Sequence, residues 1–397
     1  MIPTGVKSTP MTPATRQFIA KNLTADIRAL ALKKVPADVD LPLALRQIEA
    51  RQLLQKKVPQ WSTNDDLLFP AHLSIEQCSS EATAHYKADL FKGDTFVDLT
   101  GGLGIDCQEI AKNFNVAHYV ERNPELCALA EHNFSVLKAN IKVWNESAEA
   151  FLQTMSPVDF IYLDPARRDV HGRKTVSIAD CTPNVVQLQD LLLEKAATVA
   201  VKLSPMLDIS KALGELKCVK AVHVIAVANE CKELLFVMEK GHHRTIRFTC
   251  ANLLTDKPIM EFSMEEERDC PLQLSDGVMR YLYEPNAALM KAGCFKLLAQ
   301  RFGISKLHKN SNLYTSDELI SDFPGRIFEV EAWAHYNKKL KQTLLADVEK
   351  ASVAVRNFPM SVAELRKTLK LADGDAVYLF ATTIKGDEKV LIKTKKA

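Results

Sequence analysis

The chain has 397 residues, which is enough for two to four domains. Its 51 basic and 49 acidic residues give a net charge of +2, so charge alone indicates neither a nucleic-acid-binding protein nor an enzyme for acidic substrates. The nine cysteines include no Cys-x-x-Cys pair and no Cys/His cluster, and there is neither a signal peptide nor an apolar run of membrane-spanning length. We therefore expect a cytoplasmic protein with no bound metal and no membrane partner.

The first part of the chain has the pattern of several helices. Apolar residues recur at helical spacing in residues 12–23 and 41–56, and prolines interrupt the pattern between helices. A further helix is expected to begin at Ser80, whose hydroxyl suits an N-cap. Residues 1–76 are thus predicted to be an N-terminal helical region that packs on the domain after it.

The most informative segment is Asp98-Leu99-Thr100-Gly101-Gly102-Leu103-Gly104. It lies at the end of the apolar run 95–99, so a strand that ends in an acid turns through glycines into a helix N-terminus. Such a turn holds a charged, nucleotide-like ligand against bare backbone. A dinucleotide fingerprint needs a further glycine where Cys107 stands. The spacing therefore favours S-adenosylmethionine (SAM) over a dinucleotide, although an ordinary glycine-rich turn also fits the motif alone.

A second acid follows the next predicted strand. Residues 118–120 lead into Glu121, and a helix from residue 104 to about residue 114 fits between the two strands. Asp98 and Glu121 would then stand at the carboxyl edge of one sheet, where open α/β sheets bind ligands. In a SAM site the second acid takes the ribose hydroxyls, and the glycines lie beneath the amino-acid moiety. The predicted cofactor contacts in this region are Asp98, Thr100, Gly101, Gly102, Gly104 and Glu121.

Two serines are further candidates for cofactor contacts. A strand at 141–144 leads through Glu146 and Ser147 into a helix at 148–154. In many SAM enzymes an acid at this strand end meets the adenine amino group, so Glu146 or Ser147 is a candidate, and an N-cap at Ser147 is the alternative. Ser80 is likewise either an N-cap or a contact to the methionine end of SAM.

A second signal follows the predicted strand 160–163. Asp164-Pro165 matches the first half of the Asp/Asn-Pro-Pro-aromatic segment found in enzymes that methylate exocyclic or amide nitrogens. Such a nitrogen is a poor nucleophile because its lone pair is delocalised. A side-chain acceptor and a carbonyl held rigid by proline accept its N–H bonds and turn the lone pair toward the methyl group. We therefore expect Asp164, Pro165 and Arg167 to face the methyl acceptor.

Arg167 stands where the aromatic residue of this segment is expected. A guanidinium plane stacks on a base, but it also binds phosphate or carboxylate, or lies in a solvated loop. Nitrogen is thus the favoured acceptor, and the choice of acceptor stays open.

The next elements complete an α/β sheet. Predicted helices at 188–197 and 209–216 alternate with a strand at 198–203, and strands at 221–228 and 233–239 form a closing hairpin. Strands alternating with helices, followed by two strands in succession, is the order of the Rossmann-like, seven-stranded sheet of class I methyltransferases, which has one antiparallel strand.

Beyond residue 240 the pattern indicates two small α+β domains. Residues 241–323 include a strand at 245–250, an acidic solvated stretch at 261–269 and a helical stretch at 287–302. Residues 324–397 form the second of these domains and carry most of the lysine clusters. Such clusters are usually solvated faces, and they also suit an RNA surface. The lysines are Lys338, Lys339, Lys341, Lys385, Lys389, Lys393, Lys395 and Lys396.

The chain resembles a group of bacterial class I SAM-dependent methyltransferases that carry a ferredoxin-like middle domain and a C-terminal THUMP-like domain. The resemblance covers nearly the full length and rests on motifs at residues 77–81, 98–106, 164–167, 202–205, 229–234 and 356–359. It implies that Asp98, Gly102, Gly104 and Glu121 hold SAM. THUMP domains generally bind RNA, so it also implies an RNA methyltransferase. The implied domains are 1–76 (helical region), 77–240 (methyltransferase), 241–323 (ferredoxin-like) and 324–397 (THUMP-like).

The sequence departs from the family pattern at two places. Thr100 replaces the first glycine of the common Asp/Glu-x-Gly-x-Gly-x-Gly motif, and Ala166-Arg167 replaces the Pro-aromatic pair.

Two other functions stay open. One is a methyltransferase of a small molecule or a protein side chain, and the other is a non-catalytic RNA-binding protein that senses SAM.

Overall fold

A computed structural model describes residues 11–70, 72–167, 178–257, 259–337, 340 and 343–397. The chain divides into two compact units, Met1–Ala221 with Glu233–Arg244 and Val222–Lys232 with Thr245–Ala397. Some residues of the predicted sites lie outside the described part of the chain: Lys338, Lys339, Lys341 and the side chain of Arg167.

The first unit begins with short helices, as predicted. The first three follow Thr12, Asp26 and Asp40, whose side chains each accept a backbone N–H of the first turn. One apolar cluster joins Trp61 of this region to Leu103 in the glycine-rich segment, so the helices support that segment. The helices are α1 (Pro13–Lys21), α2 (Ile27–Ala31), α3 (Leu41–Leu54), α4 (Pro59–Ser62), α5 (His72–Gln77) and α6 (Glu81–Leu90).

Alternating strands and helices follow, and most of the strands form the sheet of the first unit, while Ala166–Arg167 and Cys181–Thr182 form a separate two-stranded sheet. The elements are β1 (Gly93–Asp98), α7 (Ile105–Ala111), β2 (Phe114–Val120), α8 (Pro124–Val136), β3 (Ile141–Trp144), α9 (Ala148–Thr154), β4 (Val158–Leu163), β5 (Ala166–Arg167), β6 (Cys181–Thr182), α10 (Val185–Lys195), β7 (Ala196–Leu203), α11 (Ile209–Glu215), β8 (Val219–Val227) and β9 (Glu230–Glu239). Within the unit the strand order is β9-β7-β4-β1-β2-β3. Neighbouring strands are parallel except for the antiparallel β7–β9 pair.

The strand order reverses at β1, which has β2 on one side and β4 on the other. Ligands of open α/β sheets bind at such a switch point, beyond the carboxyl ends of the strands. Asp98 is in register with Tyr119 of β2 and with Tyr162 of β4. The residues that follow these three strands therefore lie close together, as the sequence predicted for Asp98 and Glu121.

The second unit contains two groups of strands. Its elements are β10 (Arg247–Leu253), β11 (Met260–Ser263), α12 (Met264–Asp269), β12 (Tyr281–Pro285), α13 (Ala287–Ala292), α14 (Lys296–Phe302), β13 (Ser305–His308), β14 (Ser311–Ser316), β15 (Gly325–His335), β16 (Ser352–Arg356), α15 (Val362–Leu369), β17 (Tyr378–Ile384) and β18 (Glu388–Lys396). One group has the order β11-β10-β8, and the other is a sheet in the order β13-β14-β12-β15-β18-β17-β16.

These groupings differ from one detail of the sequence analysis. The strand predicted at 245–250 is observed as β10, but it lies beside β8 and not in the sheet of β12 to β18. The acidic stretch 261–269, predicted as solvated, contains the end of β11 and the helix α12, which has no buried residue and begins with a reciprocal capping box of Ser263 and Glu266. The described helices all fall short of the combined length and hydrophobicity that crossing a bilayer requires.

Candidate active site

The glycine-rich segment forms a tight loop between β1 and α7. The Gly101 N–H donates to the carbonyl of Val120 at 2.9 Å, so the loop lies against the end of β2. A Cβ on Gly101 would lie 2.1 Å from Cε2 of Tyr119, a fully buried ring whose hydroxyl donates to the Gly102 carbonyl. Gly102 and Gly104 have positive φ angles of 55° and 87°, which glycine adopts without steric cost. The loop geometry thus requires glycine at these three predicted positions.

Thr100 connects the ends of β1 and β4. Asp98 Oδ1 accepts the Thr100 N–H at 2.9 Å, and Thr100 Oγ1 accepts the Asp164 N–H at 2.6 Å. Asp98 is only 1% exposed, so its carboxylate contacts the loop backbone rather than solvent. Burial raises the pKa of Asp98 well above its usual value; the Thr100 N–H opposes this rise, and the charges of Asp106, Asp164 and Glu121 add to it.

Glu121 follows β2 and contacts the same loop. Its Oε2 accepts the Gly102 N–H at 3.1 Å, and its Oε1 accepts the Asn123 N–H at 2.8 Å. The side chain is half-buried, and each carboxylate oxygen keeps a lone pair for a further donor. This arrangement suits a carboxylate that accepts ribose hydroxyls next to the glycine loop.

The two predicted serines both act as N-caps. Ser80 Oγ accepts the Thr83 N–H at 3.3 Å, and Ser147 Oγ accepts the Ala150 N–H at 3.2 Å. The helix-cap interpretation of the sequence is therefore observed for both, and their contacts to SAM stay predictions.

Asp164 stands directly after β4, next to the loop. Its side chain is 37% exposed, and its Oδ2 accepts a hydrogen bond from Lys202 Nζ at 2.5 Å. Its Oδ1 has no partner among the described residues. Pro165 is buried, and its ring fixes the backbone after Asp164. The backbone of Arg167 belongs to β5, which pairs with β6.

The structure adds a buried polar cluster that the sequence analysis did not assign to the site. Its centre is Asp106, whose Oδ2 accepts the hydroxyls of Ser79 at 2.6 Å and Tyr162 at 2.7 Å. Lys87 Nζ pairs with Asp106 Oδ1 at 3.0 Å and with Glu233 Oε1 at 2.7 Å. We call Ser79, Lys87, Asp106, Tyr162, Lys202 and Glu233 the buried charge cluster.

The two lysines of the buried charge cluster control its ionisation. Burial acts to raise the pKa of Asp106, but Lys87 and Lys202 outweigh it and lower that pKa to about 2. For Lys202 burial acts to lower the pKa, and the charges of Asp164, Asp106 and Glu233 raise it above its ordinary value. Lys202 is therefore a cation. A lysine within the apolar run of a predicted strand, as at 198–203, is a sequence signal that could have pointed to this cluster.

Comparison with solved structures identifies the family. A crystal structure from Porphyromonas gingivalis W83, named as a candidate methyltransferase, aligns with 97% of this chain and 98% of its own at 36% identity and a TM-score of 0.86. The chain belongs to that family of class I SAM-dependent methyltransferases. Family models of a ferredoxin-like domain and of a THUMP domain-like region match residues 281–324 and 325–396 of this methyltransferase.

Smaller solved methyltransferases match part of this methyltransferase. TrmK of M. capricolum, bound to S-adenosylhomocysteine, is 10% identical over 44% of this chain and 71% of its own, with a TM-score of 0.32. An rRNA methylase from Streptococcus thermophilus is 13% identical over 40% of this chain and 94% of its own, with a TM-score of 0.30. A comparison with curated proteins gives no match.

Three of the lysines near the C-terminus of the methyltransferase are engaged in ion pairs. Lys385 pairs with Asp276 at 2.6 Å, and Lys393 pairs with Asp347 at 2.9 Å. Lys395 pairs with Glu329 at 3.1 Å. Since each ammonium is partly neutralised by a carboxylate, these lysines offer less positive potential to an RNA than the sequence indicated.

We expect Glu121→Ala to weaken SAM binding. The variant loses the acceptor of the Gly102 and Asn123 N–H groups and, in its predicted role, of the ribose hydroxyls. Loss of a hydrogen bond to a charged group costs about 1.5 to 3 kcal/mol, so the dissociation constant should rise roughly tenfold to hundredfold in titration calorimetry. The matched control is Glu125→Ala, because Glu125 is an exposed carboxylate that pairs with Arg46. Equal SAM affinity of the Glu121 and Glu125 variants would contradict this role.

Asp98→Asn should change the pH dependence of stability. Between the ordinary value of 3.8 and the raised pKa of Asp98, the folded state keeps a proton that the unfolded chain has lost. The free energy of unfolding contributed by Asp98 therefore falls as the pH rises through this window. Asparagine is neutral at every pH, so the melting temperature of the variant relative to the parent should increase as the pH rises above the ordinary value for Asp and through the raised pKa of Asp98. Parallel melting curves at all pH values would show that Asp98 does not titrate in this way.

Proposed function

We propose that this methyltransferase transfers the methyl group of SAM to a base nitrogen of RNA. The observation that carries the proposal is Asp164, a half-exposed carboxylate beside the glycine loop. One of its oxygens is bound by Lys202, and the other has no partner among the described residues.

Oδ1 of Asp164, which has no partner among the described residues, suits the chemistry of a conjugated nitrogen. When it accepts an N–H bond, the lone pair of that nitrogen is directed away from the ring and toward the methyl group. The benefit grows as the nitrogen becomes tetrahedral and its N–H becomes more acidic, which is where a preorganised acceptor acts most strongly. SAM supplies an electrophilic methyl group, so little proton abstraction is needed before transfer.

We assign SAM to the side of the glycine loop that faces Glu121, away from Asp164. Glu121 would accept the ribose hydroxyls, while the backbone of Gly101, Gly102 and Gly104 would approach the amino-acid part closely. Thr100 links this loop to the N–H of Asp164, so the cofactor side and the acceptor side share one rigid connection. A shared connection of this kind fixes the distance between two reacting groups.

RNA is supported as the substrate class by the THUMP domain-like match of residues 325–396. β15 of this region pairs with β12, which belongs to the ferredoxin-like match. Removing residues 324–397 would leave β12 without this neighbour, so RNA binding is best measured on the full chain.

The test is incubation of the full chain with tritiated SAM and three separate pools: total bacterial RNA, protein extract and small metabolites. We expect label in the RNA pool, and digestion to nucleosides should give a base methylated on nitrogen. Label confined to protein or metabolites would reject RNA as the substrate. Binding of SAM and RNA without label in any pool would indicate the SAM-sensing function instead.

A further inference from the structure

The buried charge cluster lies directly behind Asp164. We propose that Lys202 is a positioning residue for methyl transfer, which holds Asp164 with its Oδ1 turned to the acceptor nitrogen. This inference rests on the proposed role of Asp164 as an acceptor.

The contacts of Lys202 explain how it would act. Its Nζ donates to Asp164 Oδ2 at 2.5 Å and to Ser79 Oγ at 3.1 Å, and it lies 3.8 Å from Asp106 Oδ2. Its side chain is 11% exposed, against 37% for Asp164. The ammonium is therefore anchored from the buried side, and the carboxylate that it binds faces the open side.

The rest of the cluster keeps Lys202 available for Asp164. Lys87 takes up the charge of Glu233 and one oxygen of Asp106. Ser79 accepts from both ammonium groups and donates to the other oxygen of Asp106. With these groups paired, the strongest contact left to Lys202 is the carboxylate of Asp164.

A fixed carboxylate matters because Asp164 is partly exposed and would otherwise sample several rotamers. A charge-assisted hydrogen bond is short and directional, so it selects one of them. A displacement of about 1 Å in an active site lowers a rate by as much as a hundredfold. Lys202 would thus affect turnover without touching the substrate.

The decisive experiment is a double-mutant cycle on the full chain. Lys202→Met should lower turnover roughly tenfold to hundredfold, while SAM affinity stays within about twofold. Lys202→Arg keeps the charge and should recover part of the loss. Asp164→Ala removes the group that Lys202 holds, so Lys202→Met combined with Asp164→Ala should be no slower than Asp164→Ala alone. The matched control is Lys217→Met, which breaks the exposed ion pair of Lys217 with Asp190 and should keep the parent turnover.

The outcomes separate this inference from the proposed function. Turnover losses that multiply in the double variant would mean that Lys202 acts independently of Asp164, which overturns the inference. Parent-like turnover of Lys202→Met would overturn it as well. If Lys202→Met fails to fold, the cycle is run with Lys202→Gln on the same criterion. If the parent labels protein or metabolites, RNA is rejected as the substrate, and the turnover of each variant in the cycle is then measured with the labelled pool. If the parent labels no pool, both the proposed function and the role of Lys202 are overturned.

Discussion

Asp164→Ala should lower the turnover of methyl transfer by about a hundredfold or more and leave SAM affinity nearly unchanged. The variant removes an acceptor that Lys202 Nζ already binds at 2.5 Å, so a carboxylate of fixed position is lost. The loss appears in turnover because the hydrogen bond strengthens as the acceptor nitrogen changes shape. Steady-state kinetics on the labelled substrate and calorimetric titration with SAM measure the two quantities.

Asp164→Asn distinguishes two roles of this carboxylate. The amide keeps an oxygen that accepts an N–H bond but has far less basicity than a carboxylate. An acceptor role predicts that asparagine retains more turnover than alanine, whereas a role as general base predicts equal losses. The matched control is Asp159→Ala at the other end of β4. Asp159 is exposed and accepts the N–H groups of Asp94 and Thr95, so its loss should lower stability and spare turnover.

Turnover of Asp164→Ala at the parent level would rule out the proposed geometry of nitrogen methylation. A loss of turnover in Asp159→Ala as large as in Asp164→Ala would also contradict it, since damage to β4 would then explain both results.

Gly101→Ala should destabilise the protein by about 1 to 3 kcal/mol and reduce SAM affinity at least tenfold. The added Cβ would lie 2.1 Å from the ring of Tyr119. That ring is fully buried and its hydroxyl is bound to the Gly102 carbonyl at 2.6 Å, so it cannot yield without displacing the loop. Urea unfolding gives the stability change, and calorimetric titration gives the SAM affinity.

Gly214→Ala is the matched control for this substitution. Gly214 lies in α11, and a Cβ there meets no atom within 4 Å. Alanine in a helix is favoured over glycine by about 0.5 to 1 kcal/mol, so this variant should be slightly more stable and bind SAM normally. If Gly101→Ala behaved like Gly214→Ala, the glycine loop would not be the cofactor loop.

Much of the first unit could be predicted from the sequence because its signals are local. β3 (Ile141–Trp144) and α9 (Ala148–Thr154) have the predicted bounds, since a short apolar run ends at polar residues and Ser147 caps the helix. The placement of Asp98 and Glu121 at one edge followed from parallel strands with a helix between them. In the second unit the neighbours of the predicted strand 245–250 could not be foreseen, because the pairing of β10 with β11 and β8 joins segments that no local pattern links.

The sequence by itself determined the class of the sheet, the glycine loop with its two acids and the place of Asp164, because each is written in neighbouring residues. Only the tertiary structure decided what surrounds Asp164. Lys202 is 38 residues away from Asp164, and Lys87 is 146 residues away from Glu233. These groups meet because the order of β1, β4, β7 and β9 brings distant segments to one edge. Buried charges must find partners there, and no local pattern specifies which partner each one takes.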